Sequence, residues 1–232
     1  MKKLLMILVL ALSLTLPALG TDRETVDDVT GYVALTFDDG PSGQITERLL
    51  DGLLARQAHA TFFLCGYRME EYPSALSRYG AEGHEVGVHS TVHTNLTELS
   101  PEEIHRDMQE TADRICALSG VRPTLMRPPG GAYNQKVLGE AEQEGLSVIL
   151  WSVDPRDWNT SDAQAVLHTM AKSAGDRDII LMHDMSASSV DAALRLVDDM
   201  EARGYRFVTV SELAALSGQT LEPGRVYHHF HS

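Results

Sequence analysis

The chain has 232 residues, 22% of them charged and 43% hydrophobic, with a formal net charge of −14. That length and balance fall in the globular range and suit one domain with a sizeable core. The acidic balance argues against a nucleic-acid partner, because phosphate binding needs clustered Lys and Arg, and a neutral polymer fits better than a polyanion.

Residues 1–20 have the pattern of an export leader. Lys2 and Lys3 form a basic start, residues 4–16 an apolar run, and Pro17-Ala18-Leu19-Gly20 a small-residue cleavage site, with cleavage expected after Gly20. The alternative is an uncleaved membrane anchor, but the run is shorter than the roughly 20 apolar residues a spanning helix needs, and no stable membrane insertion is expected after cleavage. The expected product is secreted or held at the cell envelope. A short N-terminal segment, 21–31, then leads into a domain over 32–217 and a tail over 218–232.

From Tyr32 onward short apolar runs alternate with amphipathic stretches, the pattern of repeated βα units around a parallel sheet. Strands are predicted over 32–37, 60–65, 84–89, 124–127, 147–153, 179–183 and 206–210, seven in all. Helices are predicted over 45–55, 101–118, 135–144, 163–174 and 190–203. The second opens on Ser100 with Glu103 three residues on, a capping-box spacing. With no long polar linker and no repeat of fixed period, the expectation is a single α/β domain, barrel-like or open. Cys65 and Cys116 are too far apart for a zinc knuckle or a CxxC motif. Export would permit a disulfide between them; equally, Cys65 ends an apolar run and suits a small buried hydrophobe. The His-rich end of the tail (His228, His229, His231) is expected to be solvated or loosely packed.

Polar residues collect where the predicted strands end. Asp38-Asp39, His89 with His93, Arg127, Asp157-Trp158 and His183 each fall at or just beyond such an end. In a parallel βα barrel those ends share one face, the face on which chemistry is built. Alone, Asp39-Gly40-Pro41 is a turn sequence; in company, two adjacent carboxylates can divide labour, one on a cation and one free to take a proton. His89 and His93, four apart after a strand, can fold onto one ion, and a carboxylate with two imidazoles suits a divalent metal with open positions. His84, at the start of its strand, belongs at the opposite end and is expected to be structural.

Arg127, ahead of Pro128-Pro129-Gly130-Gly131, can hold a carboxylate in fixed orientation, or simply form a surface ion pair before a stiff loop. His183 is a core residue or a general acid, and Asp157 can fix its ring and raise its pKa. Trp158 is either core or one wall of a sugar-binding groove.

In order, these five segments resemble the motifs of the polysaccharide deacetylases, the NodB homology domain of carbohydrate esterase family four. The resemblance runs from about Tyr32 to Tyr227. It implies an incomplete (β/α)7 barrel, with Asp39, His89 and His93 as metal ligands, Asp38 as catalytic base and His183 as catalytic acid. It also implies that Arg127 orients Asp38, that Asp157 bonds His183, and that the Gly130 N–H binds the oxyanion. Gly130 departs from the large side chain usual there, so a more open groove wall is expected. The implied cofactor is a divalent metal ion, zinc first, with cobalt or another divalent ion as alternatives. The implied partner is an acetylated glycan of peptidoglycan or chitooligosaccharide type, deacetylated at nitrogen by a monomer. Other readings are an O-acetyl-xylan esterase, another exported amidohydrolase, or a non-catalytic glycan-binding module.

Overall fold

The computed structural model describes residues 29–231, so the expected leader and most of the N-terminal segment lie outside the described residues. Eight strands form one sheet: β1 (Gly31–Asp38), β2 (Thr61–Leu64), β3 (Glu85–Val88), β4 (Leu125–Met126), β5 (Ser147–Ile149), β6 (Ile179–His183), β7 (Tyr205–Val208) and β8 (Val226–Tyr227). Around it lie α1 (Gln44–Leu54), α2 (Gly66–Met69), α3 (Pro73–Ala81), α4 (Pro101–Ser119), α5 (Gln135–Gln143), α6 (Ala163–Ser173), α7 (Ala187–Glu201) and α8 (Val210–Leu216). The strand order is β6-β1-β2-β3-β4-β5-β8, with β7 beside the first half of β1, and all of these pairings are parallel. This is the expected incomplete α/β barrel, with one strand more than predicted.

Strands covered on both faces read as continuous apolar runs, which is why Phe62-Phe63-Leu64 and Ile179-Ile180-Leu181-Met182 are solidly hydrophobic. Along β1, Val33, Leu35 and Phe37 belong to the core shared with the helices, while Ala34 joins Phe63, Leu125, Ile149 and Ile179 in a separate inner cluster. Val210, Leu213 and Ala214 of α8 complete that inner cluster. Helix α8 is tied to the starts of β2 and β3, since the Val210 N–H donates to Thr61 Oγ1 (2.9 Å) and the Ser211 N–H to Glu85 Oε2 (3.2 Å). It therefore fills the end of the barrel away from the strand C-termini. Residue 210, predicted as strand, instead opens this helix behind a Thr209–Glu212 capping box.

The tail corrects the expectation of loose packing, although His228, His229 and His231 are exposed. Rather than lying loose, it adds β8 along β5, and Phe230 is completely buried beside Tyr227 in the inner cluster. The Phe230 N–H donates to the Arg177 carbonyl (2.9 Å), and His229 bridges to Asp178 at the foot of β6. The exposed edge of β5 and the gap before β6 left unpaired backbone groups and an unfilled interior, and the tail satisfies both. Beyond β8, Val153 pairs directly with Ile180, and the Leu181 N–H donates to its carbonyl (2.9 Å). Among the described residues no helix is long and apolar enough to cross a membrane.

Candidate active site

Asp38 is the last residue of β1 and His183 the last of β6, and the strand register sets them directly opposite each other. His89 follows β3, Arg127 follows β4, and Asp157 starts a short turn of 3-10 helix after β5. All the polar residues singled out from sequence thus come to one end of the barrel, apart from His84, which sits at the other end. His84 is buried and accepts the Ala60 N–H at Nδ1 (3.2 Å), a structural role as expected.

Asp39, His89 and His93 bring one ligand atom each to within 4.8 Å of one another. Asp39 Oδ1 lies 3.4 Å from His89 Nε2 and 3.3 Å from His93 Nε2. The Asp39 and His93 side chains are 26% and 46% exposed, so the cluster opens to solvent on one side. His89 Nδ1 donates to the Arg127 carbonyl (2.7 Å), which orients the ring so that Nε2 faces Asp39. One carboxylate and two imidazoles so disposed fit a divalent cation with room for further ligands. Burial pushes the Asp39 carboxyl up, but the His89 hydrogen bond and the charges of His89, His93 and His183 outweigh it and hold the pKa at about 2.

Asp38 stands beside this cluster with a different set of partners. Its Oδ1 accepts from the Arg127 guanidinium at 2.8 Å, while Oδ2 lies 3.7 Å from His89 Nε2. Arg127 is wholly buried, sandwiched against the rings of Phe63 and Trp151, and also donates to Thr36 Oγ1 and to the carbonyls of Ile149 and Leu150. The surface ion pair offered as an alternative for Arg127 is therefore replaced by a buried one. The turn after Asp38 is packed as closely: a Cβ on Gly40 would come 2.5 Å from the carboxylate of Asp184, itself fully buried and bonded by the Thr46 hydroxyl.

On the far side of the cavity Asp157 grips His183 twice, accepting from Nδ1 and from the backbone N–H, both at 2.9 Å. Burial alone would lower the His183 pKa, but the bond and charge of Asp157, with Asp38 and Asp39 behind, raise it to about 9. Because the folded value is raised, the pair stabilises the fold fully below the ordinary 6.5, and that stabilisation is lost as pH climbs through about 9. A proton-resolved NMR titration of the metal-free protein is expected to place the His183 imidazole near 9, and Asp157→Asn to bring it down towards 6.5. An unmoved value in the variant would remove Asp157 as the cause.

The cavity between these groups has a volume of about 400 Å³ and is walled by Gly130, Trp151, Asp154, Trp158 and Leu181. Trp158 is 64% exposed, which decides against a core role and leaves it on the wall. At Gly130, φ is 62°, a backbone conformation that favours glycine, and an added Cβ would meet nothing within 4 Å. That side of the groove is open, as the departure from the family pattern implied. Both cysteines are free; Cys65 is buried under Asp39, its Sγ 3.9 Å from Oδ1, and burial pushes its thiol pKa up. A larger hollow, about 480 Å³ between α4 and α5, brings His105 to Glu140, but it holds no metal-binding group of three among the described residues.

A family model described as polysaccharide deacetylase matches residues 26–149. The chain belongs to the polysaccharide deacetylase family. It is similar to the peptidoglycan-N-acetylmuramic acid deacetylase PdaC of Bacillus subtilis, 41% identical over 197 residues that make up 85% of this chain and 42% of that protein. With the peptidoglycan-N-acetylglucosamine deacetylase PgdA of Listeria monocytogenes it shares 40% identity over 198 residues, 84% of this chain and 41% of that one. The chain thus spans about two fifths of the length of these relatives. A family 4 acetyl xylan esterase from Clostridium thermocellum, solved with a cobalt ion, superposes with a TM-score of 0.80 at 29% identity, covering 85% of this chain and 98% of the esterase.

Two residues of this cavity escaped the sequence reading. Trp151 walls the cavity and covers Arg127, and Asp154 lines the same cavity. Their signal was the segment Trp151-Ser152-Val153-Asp154, which leads without a break into Asp157-Trp158 and extends that motif upstream.

Proposed function

We propose that this chain is a metal-dependent hydrolase that removes N-acetyl groups from amino sugars of an extracellular glycan, with peptidoglycan as the substrate class, acting as a monomer in the cell envelope. The observation that carries the proposal is a division of labour between neighbours: Asp39 belongs to the three-ligand cluster, while Asp38 is held out of it by Arg127. The substrate class is supported by the two peptidoglycan deacetylases at about 40% identity.

A divalent cation on Asp39, His89 and His93, zinc by resemblance, would lower the pKa of a bound water to about 7 and polarise the acetyl carbonyl. Asp38 takes the proton from the attacking water, its free oxygen being the one that faces the cluster. The Gly130 N–H is the donor assigned to the oxyanion, and the glycine lies on the cavity wall. His183, held protonated by Asp157, gives its proton to the departing amine, so that water and acetamide leave as acetate and a free amine. Trp158 offers an exposed ring face to the sugar.

Acetate release from peptidoglycan, chitooligosaccharide and acetyl-xylan, each with and without a chelator, tests this reading. Release from an amino-sugar polymer, abolished by the chelator and restored by zinc, is expected. Release from acetyl-xylan alone would give preference to the esterase reading, which the structural likeness to the Clostridium enzyme favours. Glycan binding without any acetate would reduce the chain to a binding module.

A further inference from the structure

We infer that Asp107 is a positioning residue, holding from α4 the loop that carries His93 in the shape that aims both imidazoles at Asp39. The inference rests on the metal-binding reading of Asp39, His89 and His93. His89 is anchored independently, by its place at the end of β3 and by the Arg127 carbonyl. His93 is reached only after three intervening loop residues, and its side chain is 46% exposed.

That loop takes an unfavourable path. Ser90 has φ 68° and His93 φ 57°, left-handed values at which a Cβ crowds the backbone. Something must hold it there, and the Asp107 carboxylate is at the centre of what does. The Thr91 N–H donates to both of its oxygens (3.2 and 3.0 Å), and the Ser90 hydroxyl donates to Oδ2 (3.2 Å). The Ser90 oxygen in turn accepts the N–H of Thr94 (3.1 Å), closing a ring of bonds around the segment that contains His93. The Thr91 hydroxyl adds a bond to the Asp107 carbonyl (3.3 Å). From the opposite side α2 contributes the N–H groups of Gly66 and Tyr67, which pair with the carbonyls of Ser90 and Thr91. Asp107 is not among the residues that line the cavity, so it acts through the loop rather than on substrate. Partners of this kind, one shell behind the ligands, commonly change metal affinity by about 10–100-fold when removed.

The test compares zinc affinity, by competition with a chromophoric chelator, in the wild type, Asp107→Ala, Asp107→Asn, His93→Ala and the Asp107→Ala/His93→Ala double variant. Asp107→Ala is expected to weaken zinc binding by about 10–100-fold. Asp107→Asn, which keeps an acceptor for the Thr91 N–H and can donate to the Ser90 oxygen, should restore most of it. In the absence of His93 the loss of Asp107 should cost nothing further, because its effect travels through that ligand. The visible spectrum of the cobalt-loaded Asp107→Ala protein should likewise move towards that of His93→Ala. Losses that simply add in the double variant would overturn the inference, as would wild-type affinity in Asp107→Ala. If the alanine variant does not fold, Asp107→Glu carries the same comparison, the carboxylate being displaced by one methylene; unchanged affinity there would also overturn it. A wild-type chain with no zinc affinity would overturn the metal-binding reading and this inference together, whereas wild-type binding that the variants leave untouched overturns this inference alone.

Discussion

Asp38→Asn is expected to abolish turnover while leaving the metal in place, and Asp39→Ala to lose metal and turnover together. The two side chains are adjacent in sequence but differ in partners. Asp39 Oδ1 lies within 3.4 Å of both imidazole nitrogens, so its removal takes away the only anionic ligand of the cluster. Asp38 is bonded instead to Arg127, and an asparagine there can still accept that bond with its amide oxygen. What the amide cannot do is accept a proton. General-base assistance is worth about 10²–10⁴-fold, and the loss should appear in kcat rather than in metal content. Metal stoichiometry and acetate release on the same preparations read both outcomes. Full turnover by metal-loaded Asp38→Asn would show that another group is the base.

Arg127→Met is expected to produce the largest loss of stability of any single change at the site. The guanidinium is completely buried and supplies four bonds, to Asp38, Thr36 and two backbone carbonyls of the chain leaving β5. Its removal strands the Asp38 carboxylate in a barrel interior, an uncompensated buried charge that costs about 3–5 kcal/mol. In a domain of this size that corresponds to a fall in melting temperature on the order of 10 °C. Lysine should not rescue it, because a single ammonium cannot reach a planar array of acceptors that a guanidinium fork fits. Thermal unfolding of Arg127→Met, Arg127→Lys and the Arg127→Met/Asp38→Asn pair separates the causes. Neutralising Asp38 in the methionine background should return part of the lost stability, and a double variant no more stable than the single would place the damage in the lost packing instead.

The positions of seven strands could be foreseen because the central ones are buried on both faces, which makes runs such as 62–65 and 179–182 apolar without interruption. Five of the helices were equally visible, and α4 showed its own start through Ser100 and Glu103. Helix α2, only four residues long, was missed, as was α3, and α8 was missed although Thr209 and Glu212 form a capping box. The tail was misjudged for a different reason. Three histidines stand near its end, and the residues that matter to the core, Tyr227 and Phe230, are set among them. Two isolated aromatics make no periodic pattern, and their burial depends on a space that other parts of the chain enclose.

The sequence by itself determined the fold class and which polar residues stand at the strand ends, because burial on both faces and the end of a strand leave local marks on residue order. It also implied, through Gly130, that one wall would be open. Only the tertiary structure supplied the physical reason why the two aspartates differ, a difference the family resemblance had implied without one. Asp38 and Asp39 are the same residue type one bond apart in the chain, and what separates them is the guanidinium arriving from β4 on one side and the two imidazoles of the loop after β3 on the other. Those partners lie 89 and about 50 residues away, and only closure of the barrel brings their charges to bear on one carboxylate rather than its neighbour.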